Sequence, residues 1–98
     1  MTDYEFAAQV WKWRGESAWH FLTVPEDISD EIDEITTGAT GGFGSVRVEA
    51  TIGATTWRTS LFPSKEVEAY VLPVKKAVRL AEDRHDGDVA QVRLRLIL

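Results

Sequence analysis

The sequence predicts a mainly β fold, a small six-stranded β-barrel with two short helices. Three observations predict it. Apolar residues recur at every second position in several short runs, only two runs have the three-and-four spacing of a helix, and the strand-like runs are joined mostly by short turns. An open sheet of this size would leave long edges unprotected, so closure into a barrel is favoured. The predicted order is β-β-α-β-β-β-α-β, in one domain spanning residues 1–98.

The first two predicted strands form a hairpin. Tyr4, Phe6 and Val10 fall on one face of a run that extends to Trp13, and this period of two is typical of a half-buried strand. Residues 14–16 predict a tight turn, and the β-prone residues 17–24 pair back on the first strand.

The first helix begins after Pro25, which favours the φ angle of a helix start. Ile28, Ile32 and Ile35 follow at spacings of four and three, and acidic residues occupy the other faces. Early acidic residues also suit the positive end of the helix dipole. Gly38 is expected to end this amphipathic helix.

The remaining elements are a glycine-rich loop at residues 38–44, three strands at 45–52, 55–62 and 66–72, a second helix at 73–82 and a final strand at 89–98. A turn is expected at residues 63–65, between the second and third of these strands. Alternation in the strand 66–72 is read with Val71 facing inward and Tyr70 facing outward. The second helix has an apolar stripe of Val74, Ala77, Val78 and Ala81.

The predicted core combines the inward residues of the strands with apolar residues from both helices. Its members are Phe6, Val10, Phe21, Ile28, Ile32, Val46, Val48, Ile52, Leu61, Val71, Val78, Val92, Leu94 and Leu96.

Composition excludes several function classes. The chain has no cysteine, which removes disulfides, thiolate metal sites and thiol catalysis. Its net charge of −5 is uneven, since residues 1–46 carry nine acidic and two basic residues, whereas residues 47–98 carry seven and nine. General affinity for nucleic acid is therefore disfavoured. Neither a basic and apolar leader nor a run of roughly 18 apolar residues is present, so we expect a cytoplasmic location and no membrane partner.

The second half of the chain carries a series of motifs that resembles the domain-of-unknown-function 1905 (DUF1905) family. The matching positions are Gly53, Trp57, Thr59, Ser60, Leu61, Pro63, Leu72, Pro73, Lys75, Lys76, Val78, Arg79, Gly87, Asp88, Val92 and Leu94, with Trp19, His20, Phe21, Val24 and Pro25 in the first half. The resemblance implies a split β-barrel, similar in topology to the transition-state-regulator class of DNA-binding barrels. It implies no established activity, and likeness of fold alone supplies no function.

The leading functional hypothesis is a non-enzymatic module that binds a small anionic ligand or a protein partner at the barrel mouth. Trp57 and Tyr70 would form its apolar walls, and the candidate polar and anion-holding residues are Ser60, Lys75, Lys76 and Arg79. The competing interpretation makes Trp57 part of the core and the three cations a solvated helix face. Alternation also places Trp57 and Thr59 on the face opposite Arg58, so one regular strand would not direct them all into one pocket.

Two alternatives come from other functional classes. The first is a dimeric DNA-associated regulator, whose basic surface would gather Arg47, Arg58, Arg93 and Arg95. The second is a hydrolase-like enzyme that uses Ser60 or His20, although neither lies in a recognisable nucleophile or metal-binding spacing. No catalytic residue, metal ligand or cofactor is predicted, and the oligomeric state is left open.

Overall fold

The computed structural model describes residues 3–15, 19–37 and 44–98. Within these ranges the chain forms seven strands and two helices in the order β-β-β-α-β-β-β-α-β. The elements are β1 Asp3–Gln9, β2 Trp11–Lys12, β3 His20–Thr23, α1 Glu26–Thr36, β4 Val46–Ile52, β5 Thr55–Ser64, β6 Ala69–Pro73, α2 Lys76–Ala81 and β7 Val89–Leu96. The predicted fold class, mainly β with two helices, is confirmed.

All seven strands belong to one curled antiparallel sheet, a half-barrel with the strand order β1-β7-β4-β5-β6-β3-β2. The long strand β5 joins its two halves. From Thr55 to Leu61 it pairs with β4, and from Phe62 to Ser64 it pairs with β6. β6 pairs only with this last part of β5. Residues 57–59 of β5 therefore pair with β4 along one edge and have no neighbouring strand along the other, among the described residues.

The first predicted strand is in fact two strands, which explains why the sheet has seven strands rather than six. β1 pairs along its length with β7, whereas β2 pairs with β3. The break falls at Val10, which is 1% exposed. Its N–H donates to the carbonyl of Asp88 at 2.8 Å, and its carbonyl accepts from the N–H of Gly87 at 2.7 Å. The two edge strands are therefore consecutive in the chain, which passes from one edge of the sheet to the other through a single buried residue.

Helix α1 follows the sequence prediction. Pro25 precedes its first turn, Ile32 is fully buried in the core, and Ile28 and Ile35 pack partly buried against it. The predicted end at Gly38 lies outside the described residues, as does most of the predicted loop 38–44. The helix is fixed to the sheet by Ser29, whose buried hydroxyl donates to the carbonyl of Val24 and accepts from the N–H of Tyr70, both at 3.1 Å.

The face of β6 that enters the core is the opposite of the predicted one. Tyr70 and Leu72 belong to the core, and Leu72 lies directly opposite Leu22 of β3. Val71 is buried, but it is opposite Phe62 on the other face of the sheet. The predicted burial of Val71 is confirmed, but the expectation that Tyr70 faces outward was wrong, because both faces of β6 are covered and alternation alone does not distinguish them.

Three further expectations differ from the structure. Phe21 is only half-buried, stacks with Trp19 and packs at a tilt against Trp11 on the outer face, so Leu22 takes its predicted place in the core. Helix α2 has six residues, and in its predicted stripe Val74 and Val78 are buried whereas Ala77 and Ala81 are exposed. The turn expected at residues 63–65 falls at residues 65–68, because β5 continues to Ser64.

The other predicted core residues of the strands are buried. The core also contains Tyr4, Ala50 and Val74, which alternation or helical spacing had placed on the apolar faces of their elements, and Val24 and Ala90, which the predicted core did not include. No helix among the described residues is long and apolar enough to cross a membrane.

Candidate functional site

A cleft of about 580 Å³ lies beside residues 57–59 of β5, next to the start of β3 and the segment that joins β6 to α2. Its lining residues are Trp19, His20, Trp57, Arg58, Thr59, Phe62, Pro73, Val74, Lys75, Lys76 and Arg79. The cleft runs along the unpaired edge of β5, so side chains from both faces of this strand reach it. Trp57, Arg58 and Thr59 consequently line one cavity although they alternate along the strand.

Trp57 belongs both to the core and to the cleft. The residue is 9% exposed and packs with the core cluster, and it lies opposite Ala50 of β4. Its remaining exposed part contributes to the wall of the cleft. Trp57 is therefore a core residue that also lines the cleft.

The permanently charged residues that line the cleft are all cationic. They are Arg58, Lys75, Lys76 and Arg79, and no described lining residue is acidic. Arg79 is held in place by the hydrogen bond that its Nε donates to the carbonyl of Val74 at 3.2 Å. Arg58 also has an acidic neighbour outside the cleft, since its Nε lies 3.9 Å from Oε2 of the half-buried Glu49. The cleft is thus a local positive region in a chain whose net charge is −5.

Lys75 and Lys76 are the least constrained of these cations. Both side chains are exposed, and neither forms an ion pair or a side-chain hydrogen bond with the described part of the chain. Their ammonium groups can therefore turn toward a ligand without first breaking an internal contact. A lysine ammonium is a compact charge on a flexible stem, which suits it to follow an anion.

Several residues of the cleft were missed because they come from distant parts of the sequence. Pairing of β3 with β6 sets Phe21 opposite Pro73 and brings Trp19 and His20 next to the segment before α2. The hydrogen bond from the N–H of Val74 to the carbonyl of His20, at 2.9 Å, continues this pairing. Phe62 joins the cleft from β5. One signal in the sequence pointed to this arrangement, namely the motif resemblance that includes Trp19 and His20.

Two of the residues predicted for the site lie elsewhere. Ser60 is half-buried opposite Arg47 of β4 and does not line the cleft. Tyr70 faces α1 and lines a separate cavity with Asp33, whose Oδ1 accepts from the tyrosine hydroxyl at 3.4 Å. Burial raises the pKa of Tyr70 above its ordinary value, a hydrogen bond with Thr36 lowers it in part, and the negative charge of Asp33 raises it further. The structure therefore brings together Trp57, Lys75, Lys76 and Arg79, but not Ser60 or Tyr70.

Three of the four arginines of the DNA-binding alternative, Arg58, Arg93 and Arg95, have an acidic residue opposite them on a neighbouring strand, whereas Arg47 lies opposite Ser60. Arg93 and Arg95 of β7 form ion pairs with Glu5 and Asp3 of β1, at 2.7 and 3.1 Å. On the neighbouring strands, Glu49 is paired in register with both Arg58 and Arg95. These acidic partners offset much of the positive charge that a phosphate backbone would need.

The residues of the enzymatic alternative are also separated, since His20 lines the cleft and Ser60 does not. His20 is 9% exposed. Across the described ranges, no three His, Asp or Glu side chains gather into a group that could hold a metal ion.

Comparison with known proteins agrees with the motif resemblance. The family model described as Domain of unknown function (DUF1905) matches residues 6–94. Comparison with curated protein sequences gives no match. The family match spans both halves of the curled sheet and the cleft between β3, β5 and α2, and nearly all of the sequence. The chain therefore belongs to the DUF1905 family.

Proposed function

We propose that this domain is a non-enzymatic binding module for a small anionic ligand, with its site in the cationic cleft beside β5. The observation that carries the proposal is the charge of the lining, because four cationic side chains and no described acidic one surround a cavity of about 580 Å³. Cavities of roughly 300–1,000 Å³ are typical of small-molecule sites. Such a cleft is large enough for a metabolite and selects for negative charge.

The apolar part of the lining strengthens this selection. Trp57 and Val74 are almost fully buried and form a surface of low polarity beside the cations. Interactions between charges are stronger in such surroundings than in bulk water. Hydrogen bonds between lysine or arginine and a phosphate or carboxylate are also stronger than those between neutral groups. The lining thus supplies affinity for an anion, and we assign these residues binding rather than a chemical reaction.

The test is a two-dimensional amide NMR titration with inorganic pyrophosphate, following the indole signal of Trp57 and the amides of residues 75–79. We expect saturable shifts at these positions in the parent protein. The double variant Lys75→Ala/Lys76→Ala should bind at least about tenfold more weakly, since it loses two charge-assisted contacts.

The matched control is Lys12→Ala/Lys65→Ala, which removes the same charge from the only other two lysines of the chain. Both of these residues are exposed and lie outside the cleft. This control should retain the parent affinity. Equal weakening in both double variants would show that net charge, and not the cleft, governs binding, and the proposal would then be wrong.

The DNA-associated regulator receives less support from the structure, because Arg93, Arg95 and Arg58 have acidic neighbours on their own sheet face. It is tested separately with duplex DNA at low salt. Binding that falls steeply with added salt would favour the regulator, and no binding at low salt would exclude it.

A further inference from the structure

We infer that the ligand of this cleft carries a planar aromatic ring in addition to its anionic group, and that Trp19 and Phe62 hold this ring. The inference rests on the proposed function and adds the class of ligand, an aryl or heteroaryl phosphate of about mononucleotide size. Its evidence lies in the exposed aromatic side chains of the lining, which the charge argument does not use.

Trp19 and Phe62 both line the cleft while remaining 58% and 46% exposed. They come from different strands, Phe62 from β5 and Trp19 from the residue before β3. An exposed aromatic side chain leaves a large apolar surface in contact with water. Such a surface beside a cavity commonly marks a binding site. Two exposed rings of one cleft therefore offer stacking surface at positions where core packing does not require it.

Trp19 is supported from behind. It stacks on Phe21, with ring planes inclined by 13° and centroids 6.2 Å apart. Phe21 does not line the cleft but lines a neighbouring aromatic groove, which Trp19 and Phe62 also line. A ring that is already held in place loses less conformational freedom when it stacks on a ligand. The arrangement is a preformed platform.

The cations of the same lining determine which ring-bearing compounds fit. Lys75, Lys76 and Arg79 share the cavity with Trp19 and Phe62, so one ligand can contact both groups at once. Four positive side chains exceed what the single charge of one carboxylate would balance, which favours a phosphate. A cavity of about 580 Å³ is large enough for a ring, a short linker and a phosphate group.

The experiment compares phenyl phosphate with methyl phosphate, two probes that have the same charged group and differ in the ring. Affinities are measured by NMR titration for the parent protein and for Trp19→Ala and Phe62→Ala, both at exposed positions. We expect phenyl phosphate to bind the parent about tenfold more tightly than methyl phosphate, in line with the effect of one base–aromatic stack. Each variant should reduce this preference and leave the affinity for methyl phosphate nearly unchanged.

Trp13→Ala is the matched control. Trp13 is also an exposed tryptophan, at 42%, and belongs to the neighbouring aromatic groove without lining the cleft. This variant should keep the parent's preference for phenyl phosphate. Loss of the preference in Trp13→Ala, with no loss in Trp19→Ala, would place the ring elsewhere and overturn the inference.

The remaining outcomes separate the inference from the proposed function. If both probes bind the parent equally, and Lys75→Ala/Lys76→Ala weakens both, the aromatic part is wrong and the anion site stands. If neither phenyl phosphate nor methyl phosphate binds the parent while pyrophosphate does, the aryl phosphate class is again wrong. If none of the three binds, both the inference and the proposed function fail.

Discussion

Gly53 lies in the two-residue turn between β4 and β5, since Ile52 is paired with Thr55 across it. Its φ of +58° falls in the left-handed region that favours glycine. The Glu82 carboxylate occupies the space that a β-carbon would need, and its Oε2 accepts a hydrogen bond of 2.6 Å from the Thr55 hydroxyl. Backbone conformation therefore favours glycine here, and a β-carbon would in addition displace the flexible end of the Glu82 side chain.

We expect Gly53→Ala to lower the free energy of unfolding by about 1–3 kcal/mol, from left-handed strain and displacement of the Glu82 carboxylate. Urea denaturation measures the loss. The same substitution in a Glu82→Ala background should cost less, because the overlapping carboxylate is absent. Equal costs in the two backgrounds would show that only the backbone conformation matters.

One buried hydroxyl helps to attach α1 to the sheet. Ser29 is 4% exposed, and its Oγ satisfies both the carbonyl of Val24, just after β3, and the N–H of Tyr70 in β6. Nearby, the N–H of Val24 donates to the carbonyl of Tyr70 at 2.9 Å. A small polar residue on the buried face of α1 therefore joins three elements.

We expect Ser29→Ala to reduce the free energy of unfolding by about 1–3 kcal/mol, because it leaves a buried N–H and a buried carbonyl without this partner. The control is Thr51→Ala, which removes one hydroxyl of the exposed Thr51–Thr56 pair and should change stability much less. Thermal denaturation followed by circular dichroism gives both values. A similar loss in the two variants would contradict the role assigned to Ser29.

The two halves of the sheet share one core. β5 pairs with β4 in one half and with β6 in the other, and the chain passes directly from β1 to β2 at Val10. Fully buried residues of both halves, among them Leu22 of β3 and Val92 of β7, belong to the same cluster. Neither half has a separate core of its own on which to remain folded.

The domain should therefore unfold in a single transition, with the same midpoint by far-ultraviolet circular dichroism and by tryptophan fluorescence. Leu22→Ala and Val92→Ala each remove buried methyl groups from a different half, and each should move both signals together to a lower midpoint. Two separated transitions, or a variant that shifts only one signal, would show that the halves unfold independently.

The charge of the molecule is also organised over its whole surface. The exposed face of α1 is acidic, and the cations of β7 are balanced by acidic residues of β1. Lys75, Lys76 and Arg79 gather instead around one cleft, together with Arg58. The net charge is therefore a poor guide to which ligands this molecule would bind. Near the cleft, an anionic ligand would experience the local positive field of these side chains.

Local patterns in the sequence determined the fold class and much of the core. The period of two in β4 and β7 and the isoleucine spacing of α1 each record which face of one element is buried, and this information lies within a few neighbouring residues. The cations from Lys75 to Arg79 could be recognised in the same way, because they are close together in the chain. The assignment of Trp57 to the site likewise used only the local sequence of one strand.

Only the tertiary structure decided which distant strands pair, and three outcomes depended on that. The break at Val10 follows from the separate partners of β1 and β2, and the burial of Tyr70 follows from the covering of β6 by α1 on one face and by aromatic side chains on the other. Trp19 and Phe62 line the same cleft as the cations because β3 pairs with β6 and because one edge of β5 has no neighbouring strand among the described residues. Alternation shows that a strand has two faces, but what covers each face is set by residues far away in the sequence.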